Sequence, residues 1–319
     1  MLPWPVAPTL AVGAGASALG VGRRAWSGSF PSPDAALRSL AAAAGVAPEL
    51  VAVDLHPGEP ARSWATRLGL PVRAVARHHA LIASVLAAHG LGPDDQAIGF
   101  AFDRGGYGAD GATWGGEVLV AGYKGARRFA HLDYVRCAGT APDRPHRAAL
   151  AHLRHAGVPW DLDLLPVRAC SNRERRVLAH QLETGYGCAT TSSLGQLLDA
   201  IASLLGTVGE GEHRPAAGDP YPMVRLEPGP LVRAVVEDVR GGVPAEMVAG
   251  RVRATIAALV AEQARRCADE TGLDVVVLAG DVFDDVALAV AARDALNGFT
   301  VLAGQPPLAL GQLLSAAAG

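Results

Sequence analysis

The most distinctive stretch of the chain is Phe102 to Glu117, FDRGGYGADGATWGGE. It carries three carboxylates, Asp103, Asp110 and Glu117, among glycines at 105, 106, 108, 111, 115 and 116. Acids grouped in this way bind a hydroxyl, a metal ion or an amine, and glycines let the backbone approach a phosphate or a planar group. Two tight turns in a β-hairpin would use the same glycines without any ligand. Residue types alone leave both readings open.

The surrounding pattern predicts the elements that position this stretch. Ala97–Asp103 reads as a strand leading into the glycine-rich turn, with Glu117–Tyr123 as its antiparallel partner. Upstream, strands are expected at Thr9–Val12, Leu19–Trp26, Leu50–Leu55 and Val72–Val75. Helices are expected from Pro33 to Ala44, over Arg62–Leu68, and at Ile82–His89, where Gly90 closes the last one. Downstream, helices are expected at Pro145–His155, Ser192–Leu205, Pro244–Thr271, Val286–Leu296 and Leu310–Ala317. Strands fall at Val275–Ala279 and Thr300–Leu302, and Gly206–Pro230 reads as surface loop. Hairpins mixed with alternating helices and strands predict two α/β lobes facing a cleft that holds the ligand.

Composition narrows the class. The 319 residues are 50% hydrophobic and 18% charged, which excludes disorder and coiled coil. With 28 Lys plus Arg against 31 Asp plus Glu, the net charge of −3 offers no field for a nucleic-acid backbone. Cys137, Cys170, Cys188 and Cys267 form no C-x-x-C pair, so reduced thiols in the cytoplasm are expected. The apolar run Val6–Val21 is shorter than a bilayer span and lacks a preceding positive charge; it reads as buried strand and turn, and no membrane partner is expected.

Phe102–Glu117 resembles the D-G-T-G-Y-G-x-D-G-x-x-W-G-G-E signature of the carbamoyltransferase domain of HypF proteins, hydrogenase maturation factors related to the TsaD family. Further blocks follow in the family's order: VAVDLHP at Val51–Pro57, TSSLGQLLDAIASLLG at Thr191–Gly206, LEPGPLVRAVVEDVRGGVP at Leu226–Pro244, VVLAGDVFDD at Val276–Asp285 and LALGQ at Leu308–Gln312. The resemblance implies an α/β fold of the actin-like ATPase (ASKHA) superfamily, two ribonuclease H-like lobes around a cleft. The expected division is lobe I at 1–124 plus 303–319 and lobe II at 125–302. It also implies transfer of a carbamoyl group from carbamoyl-adenylate to the C-terminal cysteine of a HypE-type acceptor. The acylphosphatase, zinc-finger and YrdC-like domains of complete HypF chains find no room here, so the adenylate donor is expected to be a full-length HypF or a YrdC-like protein.

The departures bear on the chemistry. The family's H-H-H-A-H segment places two metal-binding imidazoles four residues apart on one helix face. Here it reads Arg77, His78, His79, Ala80, Leu81. A guanidinium stays protonated and Leu has no lone pair, so neither binds a metal. The aspartate of the family's D-G-G-I-S-L-G-Q motif is replaced by Gln305, which leads to the expectation of an empty metal site. His78 and His79 are expected near the site or on the surface. S-G-G-V-F-Q-N becomes Ala279–Asp285, where Asp281 replaces a glycine and needs a cation to offset it. The family's opening G-G-E-L-K-N-T-F has lost its acid, lysine and asparagine in Gly13–Gly20.

What the resemblance leaves is a binding set for an adenosine nucleotide or carbamoyl-adenylate: Asp103, Tyr107, Asp110, Glu117, Asp199 on the ribose hydroxyls, Glu210 and Gly280. Arg77 is a candidate anion contact, since guanidinium groups make bidentate contacts with phosphate or carboxylate. The expectation is a HypF-like carbamoyltransferase-domain protein with weak or no activity alone. The alternative is a non-catalytic nucleotide-binding or regulatory partner of a full-length HypF.

Overall fold

The computed structural model describes residues 1–13, 15–139, 144–206, 218–223 and 225–319. Strands β1 (Val6–Val12), β2 (Ser17–Gly22) and β3 (Arg24–Gly28) precede helix α1 (Pro33–Ala44). Then come β4 (Leu50–Asp54), α2 (Pro60–Arg67) and β5 (Val72–Val75), and these strands form a five-stranded sheet in the order β3-β2-β1-β4-β5. The expected second strand is in fact β2 and β3, divided by a turn at Arg23. Helix α1 begins where Pro33 presets the backbone and Ser32 Oγ accepts from the Ala35 amide at 3.2 Å; it ends at Gly45 in the left-handed region.

Helix α3 (Arg77–Ala88) leads into the second sheet. Its first strands are β6 (Ala97–Tyr107), β7 (Thr113–Ala121), β8 (Ala126–His131) and β9 (Val135–Ala138). Helices α4 (Pro145–His155), α5 (Leu165–Ala169) and α6 (Asn172–Thr184) follow, then β10 (Cys188–Thr191), α7 (Leu194–Leu205), α8 (Pro228–Arg240) and α9 (Ala245–Thr271). The chain closes with β11 (Val275–Ala279), a 3-10 turn at Asp281–Asp284, α10 (Val286–Ala295), β12 (Thr300–Ala303) and α11 (Leu308–Ala318).

The second sheet runs β12-β11-β6-β7-β10-β9, with β8 also paired to β7. Its strands β8-β7-β6-β11-β12 repeat the order and directions of the first sheet, two antiparallel pairings followed by two parallel ones. The change of sheet falls between Val75 and Ala97.

Helices α3 and α11 lie between the sheets. They pack on each other, α11 also on β1 and β4, and α3 also on β6 and β11. A Cβ at Gly311 would stand 1.9 Å from the Ala80 carbonyl oxygen, so only glycine lets these backbones come this close. One buried cluster runs from Ala11 and Ala52 through Ile82, Leu86, Leu313 and Leu314 to Ala101 and Val277, which joins both sheets into a continuous core. Among the described residues no helix is long and apolar enough to cross a membrane.

Candidate functional site

The signature loop divides its carboxylates between two polar clusters. Asp103 lies near the end of the regular part of β6, where the register against β7 shifts between Phe102 and Gly106. That bulge carries Asp103 and Arg104 away from the ladder toward α3, the start of α7 and the 281–284 turn. Ser193, the residue that caps α7, donates its hydroxyl to the carbonyls of Asp103 and Arg104 at 2.9 and 2.8 Å. A Cβ at Gly115 would meet the Asp103 carbonyl oxygen at 2.4 Å, so this glycine serves close packing of the strand on the bulge.

Around the bulge stand two guanidinium groups and three carboxyl groups. Arg77 Nε, at the first turn of α3, donates to Asp103 Oδ2 at 2.5 Å, and the Asp103 side chain is 2% exposed. The Arg104 amide donates to Asp103 Oδ1 at 2.7 Å and to Asp281 Oδ1 at 3.1 Å. Arg104 Nη1 lies 2.8 Å from both carboxylate oxygens of Asp199. Its Nε is 3.7 Å from Asp281 Oδ2, so Arg104 is the cation that offsets the carboxylate introduced at Asp281.

Burial pushes the Asp281 carboxyl up to about 6, and the adjacent Asp103 carboxylate adds to the shift while Arg104 opposes it. Burial also raises Asp199, again against the pull of Arg104. The carboxylate expected on ribose is therefore engaged by a side chain of its own chain.

The second cluster is built on Arg128 of β8. Its Nε donates to Glu117 Oε2 at 2.5 Å and its Nη1 to Asp110 Oδ2 at 3.0 Å, while its guanidinium carbon lies 4.1 Å from the Trp114 ring centroid. Glu117 is fully buried and also accepts from the Ser192 hydroxyl. Asp110 accepts from Trp114 Nε1 at 2.8 Å and from the Tyr134 hydroxyl. Burial would raise the Asp110 carboxyl, but the hydrogen bonds from Tyr134, Ala112 and Trp114, with the Arg128 charge, bring it down to about 2.

The structure thus brings together Asp103, Arg77 and Asp199, and holds Asp110 and Glu117 around Arg128. Tyr107 stands apart with its ring edge-on to His56, centroids 5.1 Å apart. Gly280, at φ 104°, is a packing glycine: a Cβ there would lie 2.1 Å from the Phe102 carbonyl oxygen. Glu210 lies outside the described residues. Arg104 and Arg128 were not anticipated from sequence, and the one signal for Arg128 was that a strand carboxylate such as Glu117 needs a partner once buried.

The residues at the family's metal positions do not fit a metal ion. Arg77 is a paired cation, Leu81 is buried and apolar, and Gln305 donates its amide to the Gly280 carbonyl at 2.8 Å. His78 is fully buried, with its charged form disfavoured first by burial, and its ring lies 5.9 Å from that of Trp114. His79 Nε2 lies 2.7 Å from the Gly122 carbonyl oxygen. Neither is a surface side chain.

Comparison with known proteins gives this arrangement a family. Residues 99–312 match the family model described as the second subdomain of the carbamoyltransferase Kae1-like domain, and residues 29–88 match the HypF Kae1-like domain. The chain belongs to the HypF family. It is 34% identical over 301 residues to carbamoyltransferase HypF of Rhodobacter capsulatus, a match covering 85% of this chain and 40% of that protein. The HypF of Synechocystis sp. is 28% identical over 313 residues, covering 84% of this chain and 40% of its own. A crystal structure of full-length HypF in a phosphate- and nucleotide-bound form superposes with a TM-score of 0.86 at 27% identity, over 99% of this chain and 47% of that one. The chain therefore spans about 40% of the length of these curated HypF relatives. Its two sheets of repeated strand order superpose on the corresponding part of that HypF structure.

Proposed function

We propose that this chain is a HypF-type carbamoyltransferase-domain protein of [NiFe]-hydrogenase maturation. In this reading it acts in the cytoplasm and binds an adenosine nucleotide or carbamoyl-adenylate beside Arg77, Asp103 and Asp199. Carbamoyl transfer to a HypE-type C-terminal cysteine requires stabilisation of the charge that develops as the thiolate attacks the carbamoyl carbon and the nucleotide leaves. Arg77 stands at a position where the resemblance implies a metal ligand. With its Nε taken by Asp103, its terminal nitrogens are the groups left to contact an anionic ligand.

The observation that carries the reading is the Arg77–Asp103 pair, a fixed cation on a buried carboxylate at a position that has lost metal donors. A paired guanidinium orients an anion but does not replace a Lewis acid, so turnover by the chain alone is weak or nil. The test supplies the purified chain with carbamoyl-adenylate and a HypE-type acceptor and follows acceptor mass. Carbamoylation at a rate comparable with full-length HypF would overturn the inactive reading.

A second reading, a non-catalytic nucleotide-binding partner of a full-length HypF or YrdC-like donor, is favoured by one observation. Arg77 is a paired cation and Leu81 is apolar, so neither supplies a metal donor for turnover, while Asp199 remains a carboxylate able to accept two ribose hydroxyls once Arg104 releases it. Co-purification with a full-length HypF, without acceptor carbamoylation, supports this reading over the first.

A further inference from the structure

A different part of the molecule, away from both arginine clusters, carries a set of metal donors. His146 at the start of α4, Cys170 directly after α5 and Glu174 in the first turn of α6 each bring one ligand atom to within 4.8 Å of the others. Among the described residues this is the one such group of three. Local structure fixes its shape. Ser171, between Cys170 and Glu174, caps α6 by accepting from the Glu174 amide at 3.2 Å, and this holds both donors at the turn into the helix.

The contacts at Glu174 leave room at its centre. His146 Nε2 and Arg144 Nη1 each stand 3.5 Å from Glu174 Oε1, and Arg147 Nε stands 4.0 Å away. Closed charge-assisted contacts reach about 2.7–2.9 Å, as Arg253 Nε and Asp285 Oδ2 do at 2.7 Å. Arg144 Nη1 and His146 Nε2 make only long hydrogen bonds to Oε1, the Cys170 thiol donates to the Glu174 carboxylate, and Arg147 Nε is buried without a hydrogen-bond partner. Zinc at about 2.0–2.3 Å from N, O and S ligands sets tetrahedral donors about 3.3–3.8 Å apart, so donors now within 4.8 Å of one another would close by up to about 1.5 Å. His146 and Glu174 are partly exposed, which leaves an entry path, while Cys170 is buried.

We propose that His146, Cys170 and Glu174 form a zinc-class divalent metal site that ties together the ends of three helices. Imidazole with thiolate selects zinc-like ions, whereas magnesium and calcium take oxygen ligands. Arg144 and Arg147 repel a bare dication, but the Cys170 thiolate and the Glu174 carboxylate contribute two negative charges that match the ion's two. Metals bind the thiolate, so binding transfers the Cys170 proton to solvent as the sulfur–metal bond forms. This site shares no residue with the Arg77 cleft, and its outcome is independent of the reading given there.

The test titrates the chelator-stripped full chain with cobalt(II), whose bond to a thiolate gives a charge-transfer absorption. We expect about one cobalt per chain, the thiolate band, displacement by zinc, and release of a proton. Cys170→Ser should abolish the band and weaken affinity by at least tenfold, and His146→Gln should weaken it comparably, both with unchanged far-ultraviolet circular dichroism. Cys188→Ser should titrate as the parent does. Absence of the band, or a Cys170→Ser or His146→Gln titration superimposable on the parent, overturns the proposal. His146→Gln decides the matter if Cys170→Ser does not fold.

Discussion

Replacing Arg128 by Met keeps a stem to cover Trp114 but removes the charge that faces Glu117. The Glu117 side chain is 0% exposed and Arg128 19%, with Nε to Oε2 at 2.5 Å, so the variant strands a carboxylate where water cannot reach it. What remains is the Ser192 hydroxyl and the Gly115 amide at 3.3 Å, which together do not neutralise a charge. Breaking one side of a buried ion pair costs about 3–5 kcal/mol, and we expect Arg128→Met to lose that much in equilibrium urea unfolding at neutral pH with an unchanged m-value. Glu117→Gln in the same chain should recover part of the loss, because the uncompensated charge disappears. A loss below about 1 kcal/mol, in the range of an exposed pair, or a double variant equal to the sum of the singles, would refute the view that these signature-loop acids serve the scaffold.

Further predictions concern the cleft. Asp281 titrates at about 6 in the folded chain, above an unfolded carboxyl, so its contribution to stability is full below the unfolded value and is lost as pH rises through about 6. Asp281→Asn should therefore gain stability relative to the parent as pH rises through that range, as followed by urea midpoints; a gain that is constant with pH contradicts the assignment. Arg104 and Asp199 are 66% and 37% exposed, so their pair is worth about 0.5–1 kcal/mol. Arg104→Ala should tighten AMP binding by roughly two- to fivefold, while Asp199→Ala should weaken it. Weaker AMP binding in Arg104→Ala would mean that Arg104 itself holds the ligand.

Much of the architecture was legible because its patterns are local. Buried strands such as Leu50–Asp54 and Val275–Ala279 are continuous apolar runs, and α1 and α7 announce themselves with serine caps and closing glycines. Helix α6 escaped because only Leu178 and Leu182 of its residues are buried, too few for an apolar stripe amid NRERR. Helix α8 was missed altogether: its start was read as loop because Pro228, Gly229 and Pro230 look like breakers, whereas proline in a first helical turn costs no hydrogen bond. Strands β8 and β9 are short and partly polar, and β10 pairs with β7 at a single position.

At the site, the need for a cation beside Asp281 was readable, but its source was not. Arg104 sits 177 residues away in sequence and meets Asp281 only because β6 bulges toward the turn after β11. Grouping Asp103, Asp110 and Glu117 as one binding set followed from the family resemblance, since their types and spacing alone left it open. The hairpin instead turns Asp103 to the α3 side and surrounds Glu117 with Arg128, a partner that no local spacing marks.

In the proposed reading Arg77, held by Asp103, orients an anionic ligand without a metal ion. Calorimetric titration of AMP in the presence of a chelator, on the parent and on Arg77→Ala, tests it most directly. The parent should bind without metal, and Arg77→Ala should lose about tenfold in affinity, the value of one charge-assisted contact. Binding that appears only when a divalent ion is restored, or that is equal in the two proteins, would contradict it.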